Sequence, residues 1–313
     1  MKVLVTGGAG FIGSHVVEEL LNKHYEVIVI DNLVTGFIEN ISRKAKFYQF
    51  ELSDPKLEDV FEQEKPDYVI HLAAQASVTA SMHDPYFDFN TNTAGTLKVL
   101  LWSAKYNVKK LIFASSAAVY GEPYYFPIDE EHSISPQSFY SLSKYSAEKY
   151  IEFNGNYNGL DYCILRFSNV YGPRQNANGE AGVISIFINR LIANESICIY
   201  DGSQTRDFIY VKDVAVACRL AMESGYSGVF NISSCTETRI DHLFSMITEM
   251  IGIRTKPLYG HLRIGEIEKS VLDNGRAQSD LDWHMHYSLS EGLNETVHYY
   301  SHLVKRELKE VQL

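Results

Sequence analysis

The chain has 313 residues, of which 45% are hydrophobic and 21% charged, and a formal net charge of −11. That length supports one large domain or two modest ones around a substantial core, and no apolar run approaches the roughly 18 residues that a membrane helix needs. The acidic balance repels phosphate backbones, so nucleic acid is not an expected partner. Cys163, Cys198, Cys218 and Cys235 show no paired spacing and no metal-ligand spacing, and the eleven histidines are scattered, read as surface or packing residues. No metal is therefore expected. The chain enters a strand at once, without the apolar core of a signal peptide, which predicts a cytoplasmic protein with reduced thiols.

The first predicted strand, residues 3–6, runs into Gly7-Gly8-Ala9-Gly10-Phe11-Ile12-Gly13 and then a helical pattern over 11–23. Glycines at 7, 10 and 13 permit a tight turn, close approach of backbone to a pyrophosphate, and close packing of helix on strand. The unpaired N–H groups and dipole at the helix start favour that anion. A second apolar strand, 27–30, ends at Asp31, where an acidic residue takes the ribose hydroxyls of a dinucleotide; its carboxylate would repel a 2′-phosphate, so NAD is expected over NADP. Further strands are predicted at 46–50, 68–72, 111–114 and 162–167, separated by helices at 55–63, 86–106 and 139–154. This alternation predicts an α/β fold, a Rossmann doubly wound parallel sheet with ligands beyond the carboxyl ends of its strands.

Near Tyr171 the pattern loosens into the loop Gly172-Pro173-Arg174-Gln175-Asn176-Ala177-Asn178-Gly179. The expected division is a dinucleotide-binding domain over 1–171 and a smaller mixed α/β substrate lobe over 172–313, with one or two elements of the lobe packing back on the sheet. Helices are predicted at 183–193, 211–223, 240–251 and 289–304.

Tyr140 and Lys144 stand at i and i+4 of the predicted helix and share one face. A nearby ammonium favours phenolate, the form in which a tyrosine serves as general base. The strand 111–114 leads into Ser115-Ser116-Ala117-Ala118, which brings a hydroxyl to the crevice beside Tyr140.

With these segments, the motifs His71-Leu72-Ala73-Ala74-Gln75, Asn92-Thr93-Ala94-Gly95-Thr96, Leu165-Arg166-Phe167-Ser168-Asn169-Val170-Tyr171-Gly172-Pro173-Arg174 and Arg206-Asp207-Phe208-Ile209-Tyr210-Val211 complete a resemblance. Over essentially its whole length the chain resembles the extended short-chain dehydrogenase/reductases, and among them the nucleotide-sugar epimerases of the UDP-galactose 4-epimerase kind. The resemblance implies Ser116, Tyr140 and Lys144 as the catalytic trio, and a UDP-sugar as substrate. It implies NAD lined by Gly7, Gly10, Phe11, Ile12, Gly13, Asp31, Asn32, Leu72, Ala73, Ala74, Gln75, Asn92, Ser115, Tyr140, Lys144 and Phe167. Glu51 and Leu52 stand where the family usually has an aspartate and an aliphatic residue around adenine. For the sugar nucleotide it implies Ser116, Tyr140, Asn169, Val183, Tyr200, Arg206, Arg263, Glu266 and Ser270, the planar donors of arginine suiting a diphosphate.

Related 4,6-dehydratases carry acids after the catalytic hydroxyl, where this chain has Ala117 and Ala118. Without an acid to protonate a leaving hydroxyl, reversible oxidation at one sugar carbon is the expected chemistry. The expected activity is thus 4-epimerisation of UDP-glucose and UDP-galactose, with the N-acetylated pair as further substrates. A UDP-glucuronate epimerase, a sugar-nucleotide reductase and a noncatalytic NAD-binding sensor are the alternatives. Ser270 falls where epimerases restricted to glucose and galactose resemble one another in a bulky tyrosine, so a serine there leaves room for an acetamido group. The helices over 86–106 and 139–154 resemble the pair that forms a four-helix homodimer interface in the family.

Overall fold

The computed structural model describes residues 1–176, 182–200, 202–260 and 268–310, the last six of these by backbone alone. In chain order the first half comprises β1 (Lys2–Thr6), α1 (Phe11–Asn22), β2 (Glu26–Asp31), β3 (Lys46–Gln49), α2 (Lys56–Glu64), β4 (Tyr68–His71), α3 (Val78–His83), α4 (Pro85–Asp88), α5 (Gly95–Lys105), β5 (Lys110–Ser116), α6 (Phe139–Asn158) and β6 (Asp161–Phe167). There follow β7 (Asn169–Tyr171), α7 (Val183–Ile192), β8 (Cys198–Tyr200), β9 (Thr205–Tyr210), α8 (Val211–Glu223), β10 (Gly228–Ile232), β11 (Glu237–Arg239), α9 (Ile240–Ile251), β12 (Leu258–Gly260), α10 (Gly275–Leu281) and α11 (Leu289–Glu310).

The expected doubly wound sheet is present, with seven strands in the order β10-β6-β5-β4-β1-β2-β3 and every pairing parallel. Strand order reverses between β1 and β4, and the crevice beyond their carboxyl ends is where such folds bind ligands. Alternation along β1 sends Val3 and Val5 to one face, where they pack with Val16, Val17 and Leu20 of α1, and Leu4 to the other, against Leu57, Val60 and Phe61 of α2. Both faces are buried, which is why these strands read as near-continuous apolar runs. The seventh strand, β10, comes from beyond the turn at Gly172 and pairs in register from Gly228↔Cys163 to Ile232↔Phe167; α8 packs beside α1 on the same face.

Two small sheets, β11-β9-β7 and β12-β8, and the helices α7, α9 and α11 enclose a separate cluster around Phe187, Ile188, Ile199, Leu243, Ile247 and Leu293. The helix expected over 86–106 differs in detail. Between α4 and α5 the backbone takes a π-helical course over Phe89–Ala94. The widened turn lets Asn92 and Thr93 reach inward to Ser143 on α6, at 3.2 Å to its Oγ and 3.1 Å to its carbonyl.

Candidate active site

The glycine turn leaves β1 with Gly7 at φ +72°, its N–H donating to Ile30 O at 2.8 Å. A Cβ at Gly7 would lie 2.7 Å from Ala73 N, and one at Gly13 would lie 2.0 Å from Gly7 O, so both positions admit hydrogen alone. At Gly10 a Cβ would meet, among the described residues, Gly7 O alone, at 3.2 Å, which leaves room for a pyrophosphate at the start of α1. Asp31, buried at the end of β2, accepts Ala9 N–H on Oδ2 at 3.0 Å and Leu33 N–H on Oδ1 at 2.8 Å. Each oxygen keeps lone-pair capacity for ribose hydroxyls. The cradle therefore fits NAD.

Where β1 meets β4, a directed chain of hydrogen bonds fixes the far wall. Thr96 Oγ1 donates to Asn92 O at 2.5 Å, so it accepts from His71 Nε2–H at 2.9 Å. His71 Nδ1 then accepts from Thr6 Oγ1 at 2.6 Å, and that oxygen accepts Ala73 N–H at 3.3 Å. Burial, reinforced by the charge of Lys144, lowers the His71 pKa to about 3, so the imidazole stays neutral. The 72–75 segment is pinned a second time, since Asn92 accepts Gln75 N–H at 2.8 Å and donates to Gln75 O at 2.9 Å. Sequence reading places Asn92 and 72–75 at the cofactor but gives His71 no role; its signal is a polar residue closing an apolar strand.

Tyr140 is held by the start of α6. Ser138 Oγ accepts Ser141 N–H at 3.1 Å and Ser141 Oγ accepts Ser138 N–H at 3.0 Å, a reciprocal cap that fixes Tyr140 in the first helical turn. One turn on, Lys144 is buried, donates from Nζ to Ala114 O at 3.0 Å and lies 4.9 Å from the Phe113 ring centre. Desolvation lowers its pKa to about 8 against the opposing carboxylates of Asp88 and Glu148. Ser116 ends β5 and accepts Ala118 N–H at 3.2 Å, so Ala117 and Ala118 form a short 3-10 turn directly after it.

Behind this trio lies a buried ionic network that pattern reading leaves out. Glu148, fully buried on α6, accepts from Arg166 Nε at 3.1 Å and Nη2 at 2.6 Å, and from the Ser115 hydroxyl. Arg166 also donates to Tyr120 OH at 3.0 Å, which donates to Asn231 Oδ1 at 2.7 Å. Thus β5, β6, α6 and β10 are cross-tied one residue behind Ser116. Glu148 lies four residues beyond Lys144, the one legible hint that it faces the sheet.

The remaining expected residues are spread along the crevice and the smaller lobe. Phe11 and Ile12 are half-buried at the start of α1, Asn32 is exposed after Asp31, and Leu72 and Ala74 are half-buried after β4. Leu52 is buried in the core of the α2 face, whereas Glu51 is exposed and accepts the Ser53 hydroxyl. Phe167 is buried at the end of β6 and Asn169 exposed two residues on. Val183 opens α7, Tyr200 ends β8, and Arg206 lies half-buried in β9, where Nη1 donates to Thr205 O at 2.8 Å. Arg263 and Glu266 lie outside the described residues. Ser270 is half-buried in a segment strung between β9, where Thr205 N–H meets Glu268 O at 3.0 Å, and the loop after β5, where Ile128 N–H meets Val271 O at 2.9 Å.

A buried carboxylate unassigned by the sequence holds that segment. Asp207 accepts Ser168 Oγ at 3.2 Å, Ser234 N and Oγ at 2.8 Å each, and Leu272 N at 3.2 Å. Burial pushes its pKa up against those donors.

A doubly wound sheet with a dinucleotide cradle after β1, with Ser116 closing β5 and with Lys144, one turn after Tyr140, bonded to that strand, has the form of a nucleotide-dependent enzyme of the extended short-chain dehydrogenase/reductase type. The NAD dependent epimerase/dehydratase family model matches residues 3–233, and the chain belongs to that family. Its solved relatives include the UDP-glucose 4-epimerase of Thermotoga maritima with UDP-glucose, 46% identical, covering 97% of this chain and 100% of that one at a TM-score of 0.95. A UDP-N-acetylglucosamine 4-epimerase from Methanobrevibacter ruminantium, in complex with UDP-N-acetylmuramic acid, is 38% identical, with 96% and 98% covered and a TM-score of 0.93. The UDP-glucose 4-epimerase of Thermus thermophilus, in complex with NAD, is 38% identical, with 96% and 99% covered and a TM-score of 0.90. The protein is an NAD-dependent isomerase by family. Among the described residues no helix is long and apolar enough to cross a membrane.

Proposed function

We propose that the protein is a UDP-sugar 4-epimerase acting on UDP-glucose and UDP-galactose and, through the space left at Ser270, on their N-acetylated counterparts. What supports this reading is that Ser116 ends β5 and Lys144, one turn after Tyr140, is bonded to Ala114 of the same strand, on the sheet edge that also carries the glycine turn after β1, with alanines rather than acids at 117 and 118. Residues 1–171 supply the NAD site, through the residues named above, and 172–313 supply most of the sugar-nucleotide site. The glycine cradle and Asp31 would hold NAD, which would supply reversible hydride acceptance at the sugar C4. Tyr140, as phenolate, takes the proton of the C4 hydroxyl and later gives it back; Ser116 hydrogen-bonds the same oxygen. Lys144 stabilises the phenolate. Arg206 and Arg263 bind the diphosphate, which anchors the sugar while it turns. Incubation with a panel of UDP-sugars, followed by separation of epimers, tests this. Stoichiometric NADH without epimer would instead establish a dehydrogenase.

Two finer readings accompany it. A homodimer is supported by an exposed apolar face on α4, α5 and α6, including Tyr86, Leu101, Leu142, Phe153 and Tyr157. A monomer mass by light scattering at micromolar concentration would count against it. A cytoplasmic setting is supported by four cysteines that are all free.

A further inference from the structure

On the outer side of α11 two exposed imidazoles stand one helical turn apart. His298 Nε2 and His302 Nε2 are 3.1 Å from each other, with ring centres 4.3 Å apart. The i, i+4 spacing puts both on one face of the helix. The helix beneath them is anchored, because Leu293, Val297 and Tyr300 are buried in the core of the smaller lobe and Leu303 packs against it. The pair borders a cavity of about 650 Å³ whose other walls include Pro173, Lys212, Asn294 and Glu295.

We propose that His298 and His302 chelate a divalent transition-metal ion of the zinc and copper class. With metal–nitrogen bonds of about 2.05 Å, nitrogens 3.1 Å apart subtend about 100° at the ion, between octahedral and tetrahedral angles. Neutral imidazole suits these ions, and the net charge of −11 favours a cation. Glu295, one turn before His298, does not complete the set: its Oε2 accepts Tyr210 OH and Lys212 Nζ, each at 2.6 Å. No group of three or more such ligands occurs among the described residues, so of these the two histidines supply two positions and water can fill others. The ion joins two turns of α11 at the rim of the cavity. Reading the histidines as scattered surface residues misses this pair, whose signal is the His-x-x-x-His spacing within a helical period.

The same separation would also suit a single N–H···N hydrogen bond, which needs no metal. The test is calorimetric titration of tag-free, chelator-dialysed full-length protein with zinc chloride and with copper chloride. The proposal expects one equivalent to bind, copper more tightly than zinc, and His298→Ala and His302→Ala each to weaken it by at least about tenfold. Circular dichroism checks that both variants keep their helix content. Equal isotherms for the wild type and both variants, or no uptake by the wild type, would overturn it and leave the hydrogen bond as the whole of the interaction.

Discussion

His15 allows a quantitative test of the packing between α1 and the turn after β7. Its ring is buried, Nε2 donates to Pro173 O at 3.0 Å, and desolvation, aided by the Arg174 charge, lowers its pKa from 6.5 to about 4. A depressed histidine stays neutral in the folded chain while the unfolded chain takes up a proton, so stability falls as pH drops from 6.5 towards 4 and the loss levels off below that. Applied to these pKa values, the linkage relation gives a loss of about 2 kcal/mol between pH 7 and pH 5. His15→Gln keeps an amide donor for Pro173 O and removes the titration. Urea unfolding at pH 7, 6 and 5 should therefore show the wild type losing about 2 kcal/mol more than the variant across that range. His71 titrates in the same direction in both proteins and cancels. Parallel pH dependences would refute the claim that His15 is held neutral.

Tyr140→Phe removes the proposed base and keeps the ring, so kcat should fall at least about a hundredfold with the melting temperature unchanged; more than about a tenth of normal turnover would assign the proton transfer elsewhere. Asp31→Ala should narrow the preference for NAD over NADP, measured as the ratio of dissociation constants; equal affinities in the unmodified protein would contradict the role given to that carboxylate. Glu148→Ala strands the Arg166 charge in the interior and should cost about 3–5 kcal/mol in denaturant unfolding, with Glu148→Leu/Arg166→Met recovering much of it. In Ser270→Tyr, kcat/KM for UDP-N-acetylglucosamine should fall relative to UDP-glucose by an amount worth about 1–3 kcal/mol; an unchanged ratio would remove Ser270 from the pocket.

The parallel core was legible because both faces of its strands are covered, giving the apolar runs of β1, β2, β4 and β6 unmistakable lengths, with Gly7 after the first and Asp31 closing the second. The Gly7–Gly13 cradle, Asp31 and the Tyr140–Lys144 spacing are local patterns and could be read directly. What was not legible depends on partners far apart in sequence. Arg166 and Glu148 are ordinary surface charges in any local window, and only the meeting of β6 with α6 makes them a buried pair. Asp207 gathers donors from residues 168, 234 and 272, and no spacing announces that. The π-helical turn at Phe89–Ala94 adds a residue to a turn within Phe89-Asn90-Thr91-Asn92-Thr93-Ala94, which contains no proline to mark a break, so the sequence reads straight through it.

The late arrival of β10 bears on how this chain is made. Ribosomal synthesis proceeds from the N-terminus, and the first six strands of the sheet are complete at Phe167. Until Ile232 has left the exit tunnel, the backbone of β6 presents an unpaired edge next to the apolar side chains of Cys163, Ile164 and Leu165. Such an edge is a template for pairing with another nascent chain. During the interval in which some 65 further residues are added, counted from Phe167 to Ile232, that edge stays open to mispairing.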